Sequence, residues 1–189
     1  ILTCDWSSDV CSSDLIAHIG YLLLGLIAGI PSGFAAAMFY IVSYAVMSAG
    51  AFGMIIFLSR RDFEADALDD YKGLADKSPW YAFIMLILMF SMAGVPPFIG
   101  FWAKWFVFME LVGVGYVGLA AVAVFFSIIG AYYYLRVVKL MYFDRPESMI
   151  ANKSTVTMRL VLSLNGLSLL VIGMAPGTLM SLCLGAFTQ

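Results

Sequence analysis

Residues 91–105 read SMAGVPPFIGFWAKW, an apolar run that two consecutive prolines interrupt and that carries a single lysine, Lys104. A proline inside a helix removes a backbone donor and clashes with the carbonyl one turn earlier, so the Pro96-Pro97 pair, bracketed by Gly94 and Gly100, predicts a broken helix. Broken backbone at membrane depth persists only where protein or a water-filled cavity satisfies the freed carbonyls. Because Lys104 follows by about 7 residues, roughly 10 Å along a helix axis, the break and the amine together indicate an ion path.

The composition is that of a membrane protein. Hydrophobic residues make up 63% of the chain and charged residues only 12%, with a mean hydropathy of +0.98, whereas a soluble domain typically has about 25% charged residues. A chain of 189 residues can hold about five helical spans with short loops. Since no alternating strand pattern occurs, we predict an all-α, polytopic transmembrane helical bundle of about five spans, one of them broken at Pro96-Pro97.

Charge and cysteine content exclude several functions. The net charge is −2 and no basic patch is clustered, so the sequence gives no indication of nucleic-acid binding. Three cysteines and one histidine cannot form a disulfide framework, an iron–sulfur cluster or a two-histidine haem site. The acidic residues between positions 62 and 76, in a polar loop, show no metal-ligand spacing. We therefore predict that this chain itself binds no metal and no cofactor.

The first 14 residues differ from the rest. They contain the tripeptide SSD twice, at 7–9 and 12–14, in a pattern that we expect to fit no helix, loop or signal peptide. Because the segment resembles a translated sequencing-library adapter, we interpret residues 1–14 as non-native and exclude them. The remainder, 15–189, starts abruptly inside a hydrophobic segment and is interpreted as the C-terminal part of a longer membrane domain.

Hydrophobic segments and turn signals predict the span limits. The turns are placed at 31–33 and near 110–118, and Pro176-Gly177 is expected to kink or end the last span. The third span, about 31 residues long, would exceed a 30 Å hydrocarbon core as a straight helix, which again favours the break. The predicted spans are 15–30, 34–58, 79–109, a fourth that ends near 143, and 156–187.

Basic residues predict the orientation. Every lysine and arginine except Lys104 lies in or beside the loops 59–78 and 144–155, and the turns at the other end have none. Since positive charge stays on the cytoplasmic side of short loops, we predict that both loops are cytoplasmic and the C-terminus is outside. The protein is then a multi-pass membrane protein.

Three side chains are candidates for proton transfer. Lys104 is one, although a lysine near a helix end can equally place its amine among the headgroups by snorkelling. His18 is another, because the unperturbed pKa of histidine is near 6.5, but a lone histidine is more often simply hydrogen-bonded near an interface. Tyr44 is the third: with Tyr40, Ser43 and Ser48 it forms a polar stripe that could hold water or bond a neighbouring helix.

Five strings of the sequence carry a family resemblance: IAHIGYLLLGL at 16–26, the tyrosine motif ending in MSAGAF at 40–52, DDYKGLADKSP at 69–79, FSMAGVPPFIGFWAKW at 90–105 and AYYYLRVVKLMYF at 131–143. Together they resemble the antiporter-like membrane subunits of proton-pumping NADH-quinone oxidoreductase, respiratory complex I. Within that family, DYKGL and AYYYLR favour the subunit N type over its relatives L and M.

The resemblance implies that residues 15–189 are the last spans of an antiporter-like, proton-translocating subunit. In that family a lysine after the broken helix is part of the proton path, and the matching residue is Lys104; the match for His18 and Tyr44 is weaker. NADH, FMN, iron–sulfur clusters and quinone would be bound in or between other subunits. The implied partners are the other membrane subunits, the lipid bilayer and, through the complex, the quinone pool.

Two other functions remain open from the sequence. One is a subunit of a multisubunit cation/proton antiporter, which shares the broken lysine helix and has no redox partner. The other is an inert membrane scaffold in which Lys104 snorkels. In the first reading the chain belongs to an enzyme as a non-redox subunit, and this portion alone is not expected to be active.

Overall fold

The computed structural model describes residues 6–58, 71–144 and 156–187, and every regular element within those ranges is a helix. Helices α2, α6 and α7 are each long and apolar enough to cross a membrane, and α1 and α4 contain shorter apolar segments. The predicted all-α, polytopic bundle is therefore confirmed. The helices are α1 (Trp6–Ile27), α2 (Pro31–Leu58), α3 (Leu74–Lys77), α4 (Pro79–Ala93), α5 (Ile99–Gly113), α6 (Val117–Phe143), α7 (Val156–Met174) and α8 (Pro176–Gly185).

The predicted broken span is present as the pair α4 and α5, separated by residues 94–98. At the start of α4, the Trp80 indole donates a hydrogen bond of 2.8 Å to Ser163 Oγ, about two turns into α7. At the far end of α5, Ser32 Oγ, in the first turn of α2, donates one of 2.6 Å to Glu110 Oε2. Helices α2 and α7 run antiparallel, since Gly50 packs against Asn165 and Gly53 against Leu162, so α4 and α5 together cross the bundle.

The last span is interrupted in a similar way. Helix α7 ends at Met174 and α8 begins at Pro176, which confirms the kink predicted there. The ring of Phe187, just past α8, lies 6.0 Å from that of Phe34, near the start of α2. The pair α7 and α8 therefore also crosses the bundle. The predicted turn within 110–118 is found between α5 and α6, where Gly115 has φ +90°.

Two local predictions are wrong. Residues 6–14 belong to α1, although the segment was expected to fit no helix; it contains neither proline nor glycine, so nothing in it stops a helix that continues into the apolar span. The first turn lies at 28–30, not at 31–33. Gly29 takes φ +67° there, and Pro31 is the first residue of α2, where its missing N–H costs nothing.

The polar loop 59–78 contains α3 at its end. Gly73 N, just before α3, donates to Leu140 O near the end of α6 at 3.2 Å. The described flanks of both charged loops therefore lie at one end of the bundle. Residues 1–5, 59–70 and 145–155 are outside the described residues.

Helix α5 packs against α1, α2, α4, α6 and α7. Two glycines let backbone approach the break closely. A Cβ on Gly100 would lie 1.8 Å from Ser91 O, and one on Gly173 of α7 would lie 2.5 Å from Pro97 O. In lipid, such small residues allow the close packing that holds helices together. Helices α4, α5 and α7 thus meet at the break.

We expect Gly100→Ala to lower the free energy of unfolding by about 3 kcal/mol, because its methyl group must displace backbone and not a flexible side chain. The measurement is denaturant unfolding of the purified protein in mild detergent. Gly130→Ala is the matched control: no heavy atom lies within 4 Å of its Cβ position in α6, so alanine should be neutral or stabilise by up to about 1 kcal/mol. Equal stability of the two variants would contradict the packing described here.

Candidate functional site

Lys104 lies on the buried face of α5, with 8% of its surface exposed. Its Nζ donates one hydrogen bond to Met92 O and one to Ala93 O, each 3.1 Å long. These are the carbonyls of the last two residues of α4, just before Gly94. The amine therefore points back to the break and not outward along the helix. This geometry differs from that of a snorkelling lysine, whose amine would extend to the headgroup region.

The prolines explain why these two carbonyls are available. In an α-helix the carbonyl of residue i accepts from the N–H of residue i+4. The donors for Met92 O and Ala93 O would be the nitrogens of residues 96 and 97, and both are prolines without an N–H. The Lys104 amine takes the place of both missing donors. The carbonyl end of a helix also carries negative partial charge, which favours a cation.

The two glycines of the break have separate roles. Gly94 takes φ +85°, a conformation that L side chains rarely adopt, and its N–H closes α4 on Phe90 O at 3.1 Å. A Cβ on Gly94 would lie 3.2 Å from Lys104 Cδ and 3.3 Å from Nζ. Gly94 therefore both ends α4 and leaves room for the lysine, whereas Gly100 lets α5 start beside Ser91.

His18 is inside the bundle, not at an interface, with 4% of its surface exposed. Its Nδ1 shares a hydrogen bond of 2.7 Å with the Tyr40 hydroxyl. Its ring stacks on Tyr44, with centroids 4.4 Å apart. On the other side, Nε2 lies 3.4 Å from the Tyr134 hydroxyl of α6. Three tyrosines from α2 and α6 therefore surround the imidazole.

Only part of the polar stripe predicted on α2 directs its hydroxyl groups to other helices. Tyr40 and Tyr44 face His18 as described. Ser43 Oγ instead donates to Phe39 O at 2.7 Å, and Ser48 Oγ donates to Tyr44 O at 2.8 Å. Serines that bond their own helix in this way contribute less to a continuous path.

Tyr21 joins the two groups, and the sequence reasoning missed it. Lys104 Nζ lies over its ring, 5.4 Å from the centroid. The same ring is 6.2 Å from His18 and 6.1 Å from Tyr40. Tyr21 follows His18 by three residues on α1, so the two share a helix face. That spacing was the available signal.

The site thus combines a buried amine, a buried imidazole and phenol groups, all of which can hold or pass a proton. Within the described residues, no group of three or more histidine, cysteine, aspartate or glutamate side chains could hold a metal ion. Glu110, the carboxyl group nearest to Lys104 along α5, is bonded to Ser32.

A family model described as NADH:quinone oxidoreductase/Mrp antiporter, transmembrane, matches residues 11–130, which include Lys104, His18, Tyr44 and the break. The chain belongs to this family. The resemblance predicted from the motifs is thereby confirmed, and the named relatives confirm the likeness to subunit N.

Relatives in the family are named NADH-quinone oxidoreductase subunit N. That of Thioalkalivibrio sulfidiphilus is 56% identical over 92% of this chain and 36% of its own length, and that of Thiobacillus denitrificans is 53% identical over 90% and 35%. The chain therefore spans about a third of the length of these relatives.

Solved structures agree on the fold. A chain of respiratory complex I from Thermus thermophilus with bound aureothin superposes with a TM-score of 0.80 at 29% identity, covering 95% of this chain and 40% of that chain. A chain of the Mrp complex from Dietzia sp. superposes with a TM-score of 0.73 at 20% identity, covering 90% and 40%. The second likeness shows the fold alone.

The burial of Lys104 predicts its reactivity. An amine-reactive reagent applied to the folded protein in detergent should label Lys139, which is exposed on α6, and leave Lys104 unlabelled until the protein is denatured. Peptide mass spectrometry measures both sites in one sample. Equal labelling of the two lysines in the folded state would support a snorkelling Lys104.

Proposed function

We propose that this chain is part of a proton-translocating membrane subunit of NADH-quinone oxidoreductase and that Lys104 accepts and releases the protons. The observation that carries the proposal is the buried Lys104 amine, held at 3.1 Å by the two carbonyls that lack donors at the break. A buried ionisable group in a membrane helix is costly and is usually retained for function. The subunit N relatives support the choice of complex.

The break would make the proton exchange possible. Irregular backbone in a membrane protein typically lines a cavity or a substrate path. The carbonyls of Met92 and Ala93 stabilise the ammonium form, and release of a proton leaves a neutral amine that is less costly to bury. His18, with its Tyr40 partner, is the group in the described residues that is placed to exchange that proton next, and Tyr44 supports it by stacking.

The redox chemistry is assigned to other subunits. NADH, FMN, the iron–sulfur clusters and quinone would be bound there, and this chain would act as a non-redox subunit among other membrane subunits, in contact with lipid and coupled to the quinone pool through the complex. Conformational and electrostatic changes would transmit the free energy of electron transfer to Lys104. This portion of a subunit is not expected to transport protons by itself.

The alternative is a subunit of a multisubunit cation/proton antiporter. The superposition on the Mrp complex supports the shared fold, and the family description includes both classes. The relatives reported above are named as oxidoreductase subunits at 53–56% identity, which favours the first function.

Replacing Lys104 should reduce proton transfer without preventing assembly. We expect Lys104→Ala to slow the proton step through this subunit by roughly 10²-fold or more, the usual contribution of a positioned acid–base group, and so to lower the number of protons moved per NADH oxidised. The measurement is the proton-to-NADH ratio in sealed vesicles that contain the assembled oxidoreductase. An unchanged ratio and rate would remove the role.

A glycine pair separates backbone strain from displacement of the amine. Gly94 and Gly115 have nearly the same φ, +85° and +90°, but only Gly94 has Lys104 within 4 Å of its Cβ position. Alanine at either site should cost about 1–2 kcal/mol of backbone strain. Only Gly94→Ala should also lower the proton-to-NADH ratio, and a similar loss in Gly115→Ala would point to strain alone.

We also propose that the charged loops 59–78 and 144–155 face the cytoplasm and that the C-terminus is outside, in a bacterial inner membrane. In a cysteine-free background, Asp76→Cys should react with a membrane-impermeant maleimide only in inverted vesicles. Tyr116→Cys, in the turn at the other end of the bundle, should react only in right-side-out vesicles. Both positions are exposed, and the reverse pattern would invert the proposed orientation.

A further inference from the structure

We infer that Tyr21 is a positioning residue for Lys104, whose ring face holds the protonated amine at the helix break. The inference rests on the proposed proton-transfer role of Lys104 and adds a residue to it. It is carried by the position of Lys104 Nζ over the Tyr21 ring, 5.4 Å from the centroid.

This geometry is that of a cation–π contact. A lysine ammonium within about 6 Å of an aromatic centroid, above the ring face, is attracted by the ring quadrupole, and the attraction is strongest where water is excluded. Both partners are buried, each with 8% of its surface exposed. The ring therefore complements the carbonyls of Met92 and Ala93, which hold the same amine at 3.1 Å.

The ring is fixed from several directions. Its hydroxyl points to Ala123 O of α6, 3.4 Å away. Phe108 of α5 packs against it edge to face, with centroids 6.0 Å apart. Tyr40 lies 6.1 Å away on α2. Because α2, α5 and α6 all contact the side chain, the ring face can keep its place under the amine.

The contact distinguishes the two states of the lysine. A ring quadrupole attracts an ammonium group and has little attraction for a neutral amine. Tyr21 therefore favours the state of Lys104 that has taken up a proton and loosens its hold once the proton is released. The same ring lies 6.2 Å from His18, the imidazole that we propose as the exchange partner of the amine.

The test is a graded series of ring electrostatics at position 21 in the assembled oxidoreductase. Phenylalanine and its mono-, di- and trifluorinated analogues, introduced by nonsense suppression, have nearly the same shape, but each fluorine weakens the negative ring face. We expect Tyr21→Phe to retain most of the proton transfer per NADH. Successive fluorines should lower it stepwise, up to about tenfold in the step through this subunit, and Tyr21→Leu should match the trifluorinated ring.

Two controls make the outcomes separable. The same series at Tyr132, an exposed ring on α6, should have no effect. In a Lys104→Gln background the series at position 21 should also have no effect, because the two residues act through one contact. If the series at position 21 leaves proton transfer unchanged while Lys104→Ala still impairs it, the inference about Tyr21 is overturned and the proposed function stands. If Lys104→Ala is unimpaired, the proposed function itself fails.

Discussion

The structure depends on one set of hydrogen bonds, from the Lys104 amine to the carbonyls of Met92 and Ala93. Consecutive prolines remove the two N–H groups that would normally bond these carbonyls, which lie where water is scarce and unpaired polar groups are costly. A lysine that folds back from the next helix supplies both donors. The break and the lysine therefore stabilise each other.

The electrostatic surroundings of the Lys104 amine also favour a cation. The carbonyl end of α4 carries the negative end of its helix dipole, and the face of Tyr21 adds the negative region of an aromatic quadrupole. Glu110, the carboxylate on α5, accepts a hydrogen bond from Ser32 at the end of that helix. The carbonyls and the ring hold the amine through partial charges.

Local chemistry made much of the fold predictable. The break at 94–98, the turn near Gly115 and the interruption before Pro176 all follow from proline and glycine, whose backbone effects do not depend on the rest of the protein. Hydropathy identified the spans because it, too, depends only on the residues of the segment itself. The start of α1 was misjudged because the repeated SSD tripeptide was taken to exclude a helix, although no proline or glycine lies between residues 6 and 19. The first turn was misplaced because Pro31 can also begin a helix.

The site was less predictable, because its contacts join distant parts of the chain. Lys104 and His18 could be selected as ionisable groups in apolar segments. That Tyr21 lies close to both requires α1 and α5 to pack at one particular rotation, which hydropathy does not determine. Likewise, Tyr40 could be placed on a polar stripe, but its bond to His18 Nδ1 appears only once α1 and α2 are paired.

Gly173 has a consequence for how the bundle deforms. It lies in α7, two residues before Ala175, where the span is interrupted. Its backbone packs closely against Pro97 and Phe98. Two neighbouring spans thus lose their continuous hydrogen-bond ladders at nearly the same depth. Helices bend where their ladders are interrupted, so mechanical compliance is concentrated in one thin layer of the bundle. The α4–α5 and α7–α8 spans therefore share one weak layer beside the lysine, whereas α2 and α6 are uninterrupted.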